Sequence, residues 1–149
     1  VVQHEIERLE QAALSAVRLK PELEILHGIK GIGKILVLTI MLETGDIHRF
    51  PAVGDYSSYC RCVKAERLSN GKRKGEGNRK HGNRYLSWAI SEAAHLAVRF
   101  EPAARRFYGC KSTKTNGIGV IRATAHKLAR AVYYMLRNQT PFDARRLFV

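Results

Sequence analysis

Three glycines within six residues, Gly28, Gly31 and Gly33, forbid a continuous helix through this part of the chain. Each costs a helix interior about 1 kcal/mol relative to alanine, and together they leave only a turn. The flanking segments, Glu22 to Leu26 and the mostly apolar Lys34 to Leu42, are free of further breakers. The spacing therefore predicts two short helices around a tight turn, a helix-hairpin-helix layout at about residues 22–42. Such a turn points backbone N–H groups outward at a helix start, where the helix dipole favours a phosphate oxygen. Gly31 and Gly33 would grip backbone phosphates, with Lys30 and Lys34 adding charge. The glycine spacing is wrong for a dinucleotide loop, and no Gly-Lys-Ser/Thr follows for a P-loop.

Around this turn the pattern is helical, so a mainly α fold is expected: a compact helical domain over residues 21–149 with an N-terminal helical arm over 1–20. Val2, Ile6, Leu9, Ala13 and Ala16/Val17 recur at helical spacing, and Pro21 opens the next element. The chain starts at Val1 in mid-pattern, which is expected of the end of a longer, coiled-coil-like arm. Residues 45–51 read as a loop, Tyr56 to Val63 as a short helix or strand, and 66–84 as a loop or hairpin because of Gly71, Gly75, Gly77 and Gly82. From Tyr85 to Phe100 one face carries Leu86, Ala89/Ile90, Ala93/Ala94, Ala97 and Phe100, and Pro102 ends that helix. A last helix from about Gly119 to Asn138 has Ile121, Ala125, Leu128/Ala129, Val132/Tyr133 and Leu136 as its stripe. The tail bearing Arg145 and Arg146 is expected to order only on contact. Trp88, Tyr56 and Tyr59 are assigned to the core rather than to base stacking.

Charge narrows the function. The formal net charge is +13, with a pI near 10.1. Residues 1–50 hold six Lys/Arg against seven Asp/Glu, and residues 51–149 hold twenty against six, so the excess lies wholly in the second part. Residues 61–84 alone carry nine basic groups against Glu66 and Glu76. A basic run is usually a solvated face, but this one coincides with glycines and a turn, as a phosphate-binding loop would. The longest apolar run, Ile35 to Leu42, is far below the roughly 18 residues of a membrane span, and no signal peptide is visible. A cytoplasmic protein with a polyanionic partner is the expectation. Cys60-Arg61-Cys62 with His81 lacks the paired spacing of a zinc site, so packed thiols are expected and no metal is assigned to this chain.

Ser69 stands beside Asn70-Gly71-Lys72-Arg73-Lys74. A serine hydroxyl attacks phosphorus only with a base or metal, and with cations to hold the developing charge. Lys72, Arg73 and Lys74 could supply the cations, while His81 is the one candidate base in the loop. The carboxylates are too scattered for a two-metal centre. On these residues alone, a turn-forming serine and a nucleophile both remain open.

The order of elements is more specific than any one of them. Leu26 to Lys34, Glu43-Thr44-Gly45-Asp46-Ile47-His48-Arg49-Phe50, Ser69-Asn70-Gly71-Lys72, Gly82-Asn83-Arg84-Tyr85-Leu86, Ala125-His126-Lys127-Leu128-Ala129 and Tyr134-Met135-Leu136 follow one another. Over about residues 22–142 the chain resembles the C-terminal transposase domain of the DEDD-type insertion-sequence transposases, the bridge-RNA-guided serine recombinases. It departs from them at Cys60-Arg61-Cys62-Val63-Lys64, usually apolar and glycine-containing, and at Asn70, where a second glycine often follows the serine.

The resemblance implies a DNA-recombining enzyme in which Ser69 forms a covalent link to DNA. An upstream acidic, resolvase-like domain would hold Mg²⁺ and complete the site from another subunit. It implies DNA, as element ends and target, for a partner, a guide RNA as a candidate partner, a homo-oligomer at full length and no membrane. Lys72, Arg73, Lys74, Arg79, Lys80 and Arg84 would hold phosphates. The competing readings are a non-catalytic helix-hairpin-helix nucleic-acid-binding module and a basic structural RNA-binding protein. The first predicts that Ser69→Ala leaves every activity intact.

Overall fold

A computed structural model describes residues 1–18, 20–63, 65–69, 71–77 and 81–149, with side chains described for all of these except 65–69 and 73–77. Among the described residues the chain folds as eight α-helices, one 3₁₀ turn and one two-stranded hairpin. The helices are α1 (Val2–Val17), α2 (Pro21–His27), α3 (Lys34–Thr44), α4 (Val53–Tyr59), α5 (Arg84–Phe100), α6 (Pro102–Ser112), α7 (Gly117–Asn138) and α8 (Ala144–Leu147). The 3₁₀ turn spans Ile47–Arg49, and strands β1 (Ala65–Ser69) and β2 (Lys72–Gly77) pair antiparallel. A mainly α fold is thus what the sequence builds.

The core lies among α3, α5 and α7. Leu36, Val37, Leu38, Ile40 and Met41 are all buried, so α3 is enclosed on most sides rather than on one stripe. On α5 the buried face is built from Leu86, Ala89, Ile90, Ala93, Ala94 and Ala97. Four alanines on one face let α3 and α7 approach its backbone closely. From α7 come Val120, Ala125, Leu128, Ala129, Val132, Tyr133, Met135 and Leu136. Three hydroxyls caught in this core are paired: Thr44 and Tyr56 bond at 2.9 Å, and Thr124 donates to the Val120 carbonyl at 2.9 Å, whereas the buried Ser57 hydroxyl has no partner among the described residues.

The Gly28–Gly33 turn joins α2 and α3, with Ile29 and Ile32 folded inward. Gly31 has φ +85°, and a Cβ there would lie 2.6 Å from the Phe100 ring. Backbone conformation and close approach both require glycine at this position. Of α1, Val2, Ile6 and Leu9 are exposed; Ala13, Leu14 and Val17 bring only its last turns onto the core.

The helix expected from Tyr85 ends at Phe100, just before Pro102, as its sequence signalled. A further helix that was not expected follows at once: Glu101 caps α6, accepting from the Ala103 N–H, and Pro102 takes the first helical position, where its missing N–H costs nothing. Three expectations need correction. Trp88 is not core but 49% exposed, and Phe100 is 50% exposed over Gly31. The Tyr56–Val63 segment is helical but shifted, because α4 starts at Val53 and ends at Tyr59. The tail is folded without a partner: Asp143 caps α8, Phe148 is buried against Phe107, and the Lys127 ammonium donates to the Leu147 carbonyl at 2.9 Å.

Candidate nucleic-acid interface

The backbone places Ser69 at the last position of β1, opposite Lys72 at the first position of β2. The two-residue connection is Asn70-Gly71, a sequence suited to tight hairpins, and Gly71 takes φ +72°. Across the ladder Leu68 faces Arg73, Glu66 faces Glu76 and Ala65 faces Gly77, with a register shift between Glu66 and Leu68. Ser69 therefore sits at the tip of a hairpin whose sequence is dominated by cations. Lys72 is exposed. The side chains of Ser69, Arg73 and Lys74, and all of Arg79 and Lys80, lie outside what the structure describes.

The root of this hairpin is tied to three separate elements. Asn83, which precedes α5, uses its whole amide. Its Oδ1 accepts from the Tyr85 and Leu86 N–H groups at 2.9 and 3.0 Å, capping α5. Its Nδ2 donates to Glu43 Oε2 at the end of α3 and to the Tyr59 hydroxyl at the end of α4, at 2.5 and 3.2 Å. Arg49 closes the cluster, donating from Nε to the Thr44 carbonyl at 3.0 Å and covering the Phe50 and Tyr59 rings at 4.4 and 4.7 Å. The Asn83 amide, and after it Arg49, pull the Tyr59 hydroxyl below its ordinary pKa by stabilising the phenolate.

Gly82 fixes the angle at which the chain returns. It has φ +97°, its would-be Cβ falls 2.5 Å from the Tyr59 carbonyl, and its own carbonyl accepts from Arg61 Nη2 at 3.1 Å. The Asn83 N–H also donates to the Tyr59 carbonyl at 2.8 Å. On the outgoing side the Cys62 N–H donates to the Ser57 carbonyl at 3.0 Å. Both legs of the hairpin thus leave from the C-terminal end of α4. Cys60 is buried there and Cys62 half-buried; burial holds both thiols protonated, the Cys62 pKa pushed up to about 12. Among the described residues no group of three His, Cys, Asp or Glu side chains could hold a metal ion.

The glycine turn is a separate contact region. Gly31 packs against Leu96 and Phe100 at the far end of α5 from Asn83. At 1.5 Å per residue, those ends are about 20–25 Å apart. Lys30 is exposed but reaches back to Glu101 at 3.6 Å, while Gly33 and Lys34 form an open start to α3 with no side-chain cap. Arg84 stands at the hairpin end, its guanidinium 4.7 Å from the Tyr85 ring centre and 2.6 Å from its hydroxyl. Among the described residues, Lys30 and Lys34 thus stand at the glycine turn, and Lys72 and Arg84 at the hairpin end of α5. Glu43, Arg49 and Asn83 stood out in the sequence only within motifs of a resemblance, and Tyr59 was assigned only to the core.

No described helix is long and apolar enough to cross a membrane. The chain is similar to an insertion element IS110 uncharacterized 43.6 kDa protein of Streptomyces coelicolor (strain ATCC BAA-471 / A3(2) / M145), 25% identical over 145 residues. That match covers 95% of this chain, which spans 36% of the relative's length. The domain described as Transposase IS116/IS110/IS902 family matches residues 23–109, from α2 through the hairpin and its clamp into α6. With more than half of its length inside that domain, this chain belongs to the IS116/IS110/IS902 transposase family.

Proposed function

We propose that this chain is the DNA-binding and strand-transfer domain of an insertion-sequence transposase, with Ser69 as its nucleophile. The observation that carries this reading is the hairpin: Ser69 ends β1 opposite Lys72, and the hairpin's root is tied at Asn83 to α3, α4 and α5. A nucleophile needs a fixed reach from a rigid body, and cations where the phosphate charge develops. In the proposed step the Ser69 oxygen bonds phosphorus as the DNA P–O ester breaks. The serine proton passes to a base, and the departing oxygen takes up a proton from a general acid or water to leave as a strand-end hydroxyl. The base and Mg²⁺ would come from an acidic, resolvase-like domain outside these residues, completing a composite site in a homo-oligomer.

Lys72, Arg73, Lys74, Arg79, Lys80 and Arg84 would hold phosphates at the hairpin end. The α2–α3 turn would act as a helix-hairpin-helix, gripping backbone through Gly31, Gly33, Lys30 and Lys34. Their separation along α5 is about two-thirds of the roughly 34 Å duplex repeat, so one duplex can meet both. A guide RNA would share this charged surface.

The alternative is a non-catalytic nucleic-acid-binding module, and two variants separate the readings. Lys72→Ala should weaken binding across sequences and lower the salt slope by about 1 in either case. Ser69→Ala should leave binding intact but abolish recombination by the full-length protein. Unimpaired recombination in Ser69→Ala would support the binding module.

A further inference from the structure

The first turns of α5 carry an exposed aromatic pair that the hairpin chemistry does not use. Tyr85 is 52% and Trp88 49% exposed, three residues apart and therefore neighbours on one helix face. Rotation of α5 cannot hide them. Leu86, Ala89 and Ile90, which interleave with them, are each 0% exposed, and Asn83 fixes the helix start. Half-exposed aromatic rings held by a rigid backbone are unfavourable in water and lose little freedom on binding. The pair begins two residues after Asn83, so it lies beside the hairpin root. A cation is already stacked there: Arg84 lies 4.7 Å from the Tyr85 ring centre. Glu92, exposed one turn beyond Trp88, bounds the patch with a charge that repels phosphate.

We propose that Tyr85 and Trp88 form a stacking platform for an unpaired nucleobase, with Arg84 positioned for the adjoining phosphate. This rests on the nucleic-acid reading above and deepens it. Every base has a π-face that stacks on an aromatic ring, and the adjoining Arg84 with a net charge of +13 on the chain favours a polyanion over an apolar protein partner. Duplex DNA keeps its bases stacked on each other. The platform therefore selects single strands, or bases unpaired where the hairpin acts.

Trp88 is the chain's one tryptophan and reports on its own site. The 149-residue chain is titrated with single-stranded DNA, single-stranded RNA and duplex DNA of one sequence. Binding is followed by anisotropy of an end label, and Trp88 emission is read in parallel. Quenching by a single strand, along the binding isotherm and stronger than with duplex, is the expected result. The strand type that quenches more strongly identifies the backbone. Trp88→Ala should weaken single-strand affinity about 5- to 150-fold, the cost of losing one stacked base, while Trp88→Phe retains most of it.

Binding with unchanged emission, or equal quenching by duplex, would overturn the platform alone. No binding of any strand would overturn the nucleic-acid reading and the platform together. Emission that changes with protein concentration but not with oligonucleotide would overturn the platform in favour of self-association.

Discussion

Replacing Asn83 separates a helix cap from a clamp. In Asn83→Ala, α5 loses a cap worth about 1 kcal/mol. The variant also loses the bond to the Glu43 carboxylate; bonds to charged groups contribute about 1.5–3 kcal/mol, and partial exposure of this pair favours the lower end. The expected loss is therefore about 2–3 kcal/mol. Asn83→Asp gives the sharper test. Aspartate caps as well as asparagine and suits the positive end of the helix dipole, so a cap alone predicts no loss. The clamp predicts a loss at least as large as that of alanine, because a second carboxylate would face Glu43 where the amide donates. Adding Glu43→Gln to Asn83→Asp restores a donor–acceptor pair with the roles exchanged and should recover about 1 kcal/mol or more. Urea unfolding followed by far-ultraviolet circular dichroism measures all four proteins. If Asn83→Asp were as stable as the wild type, or the double variant no better than the single, the clamp argument would be wrong.

Other consequences are quick to check. Gly82→Ala must resolve a 2.5 Å approach to the Tyr59 carbonyl at φ +97°, and should destabilise by about 2 kcal/mol or more; Gly109→Ala, in open space within α6, should stabilise by about 0.4–1 kcal/mol in the same assay. The Cys60 and Cys62 thiols have folded pKa values raised above the unfolded value of about 8.5 by burial. Their contribution is fully present below that pH and is lost progressively as pH rises toward the folded value, about 12 for Cys62, because only the unfolded thiols ionise readily; urea midpoints should fall steadily above about pH 8.5, and less steeply in Cys60→Ala/Cys62→Ala. In native protein a thiol reagent should modify exposed Cys110 quickly and buried Cys60 only at the rate of unfolding, read by mass spectrometry. Phe148→Ala should cost about 3 kcal/mol, because the tail is part of the fold; no loss of stability would return it to an unstructured segment.

Helices α5 and α7 were legible because their apolar stripes repeat strongly, and α2 and α3 because Pro21, the glycines of the turn and Gly45 mark their boundaries. The α6 helix was not, since Pro102 serves equally as a stop signal and as a first helical residue. It plays both parts here, following the end of α5 and opening α6. Trp88 carried a usable signal: it lies about 200° around the helix from Leu86, which puts it opposite the core, but hydrophobicity alone favoured burial. The clamp was illegible for a different reason. Glu43 and Asn83 are 40 residues apart, and nothing local pairs them until α3, α4 and α5 pack. Ser69 was visible as a serine among cations, but its position at a hairpin tip depends on the register with Lys72.

The central claim is that Ser69 carries the chemistry, and covalent capture tests it most directly. The full-length parent protein, with Mg²⁺ and the guide RNA where one is used, is incubated with labelled element-end DNA and resolved on a denaturing protein gel. DNA binding is confirmed in the same tubes. A shifted protein–DNA band, lost in Ser69→Ala while binding persists, is the predicted result. A band that survives Ser69→Ala would contradict the account and move the nucleophile to another residue.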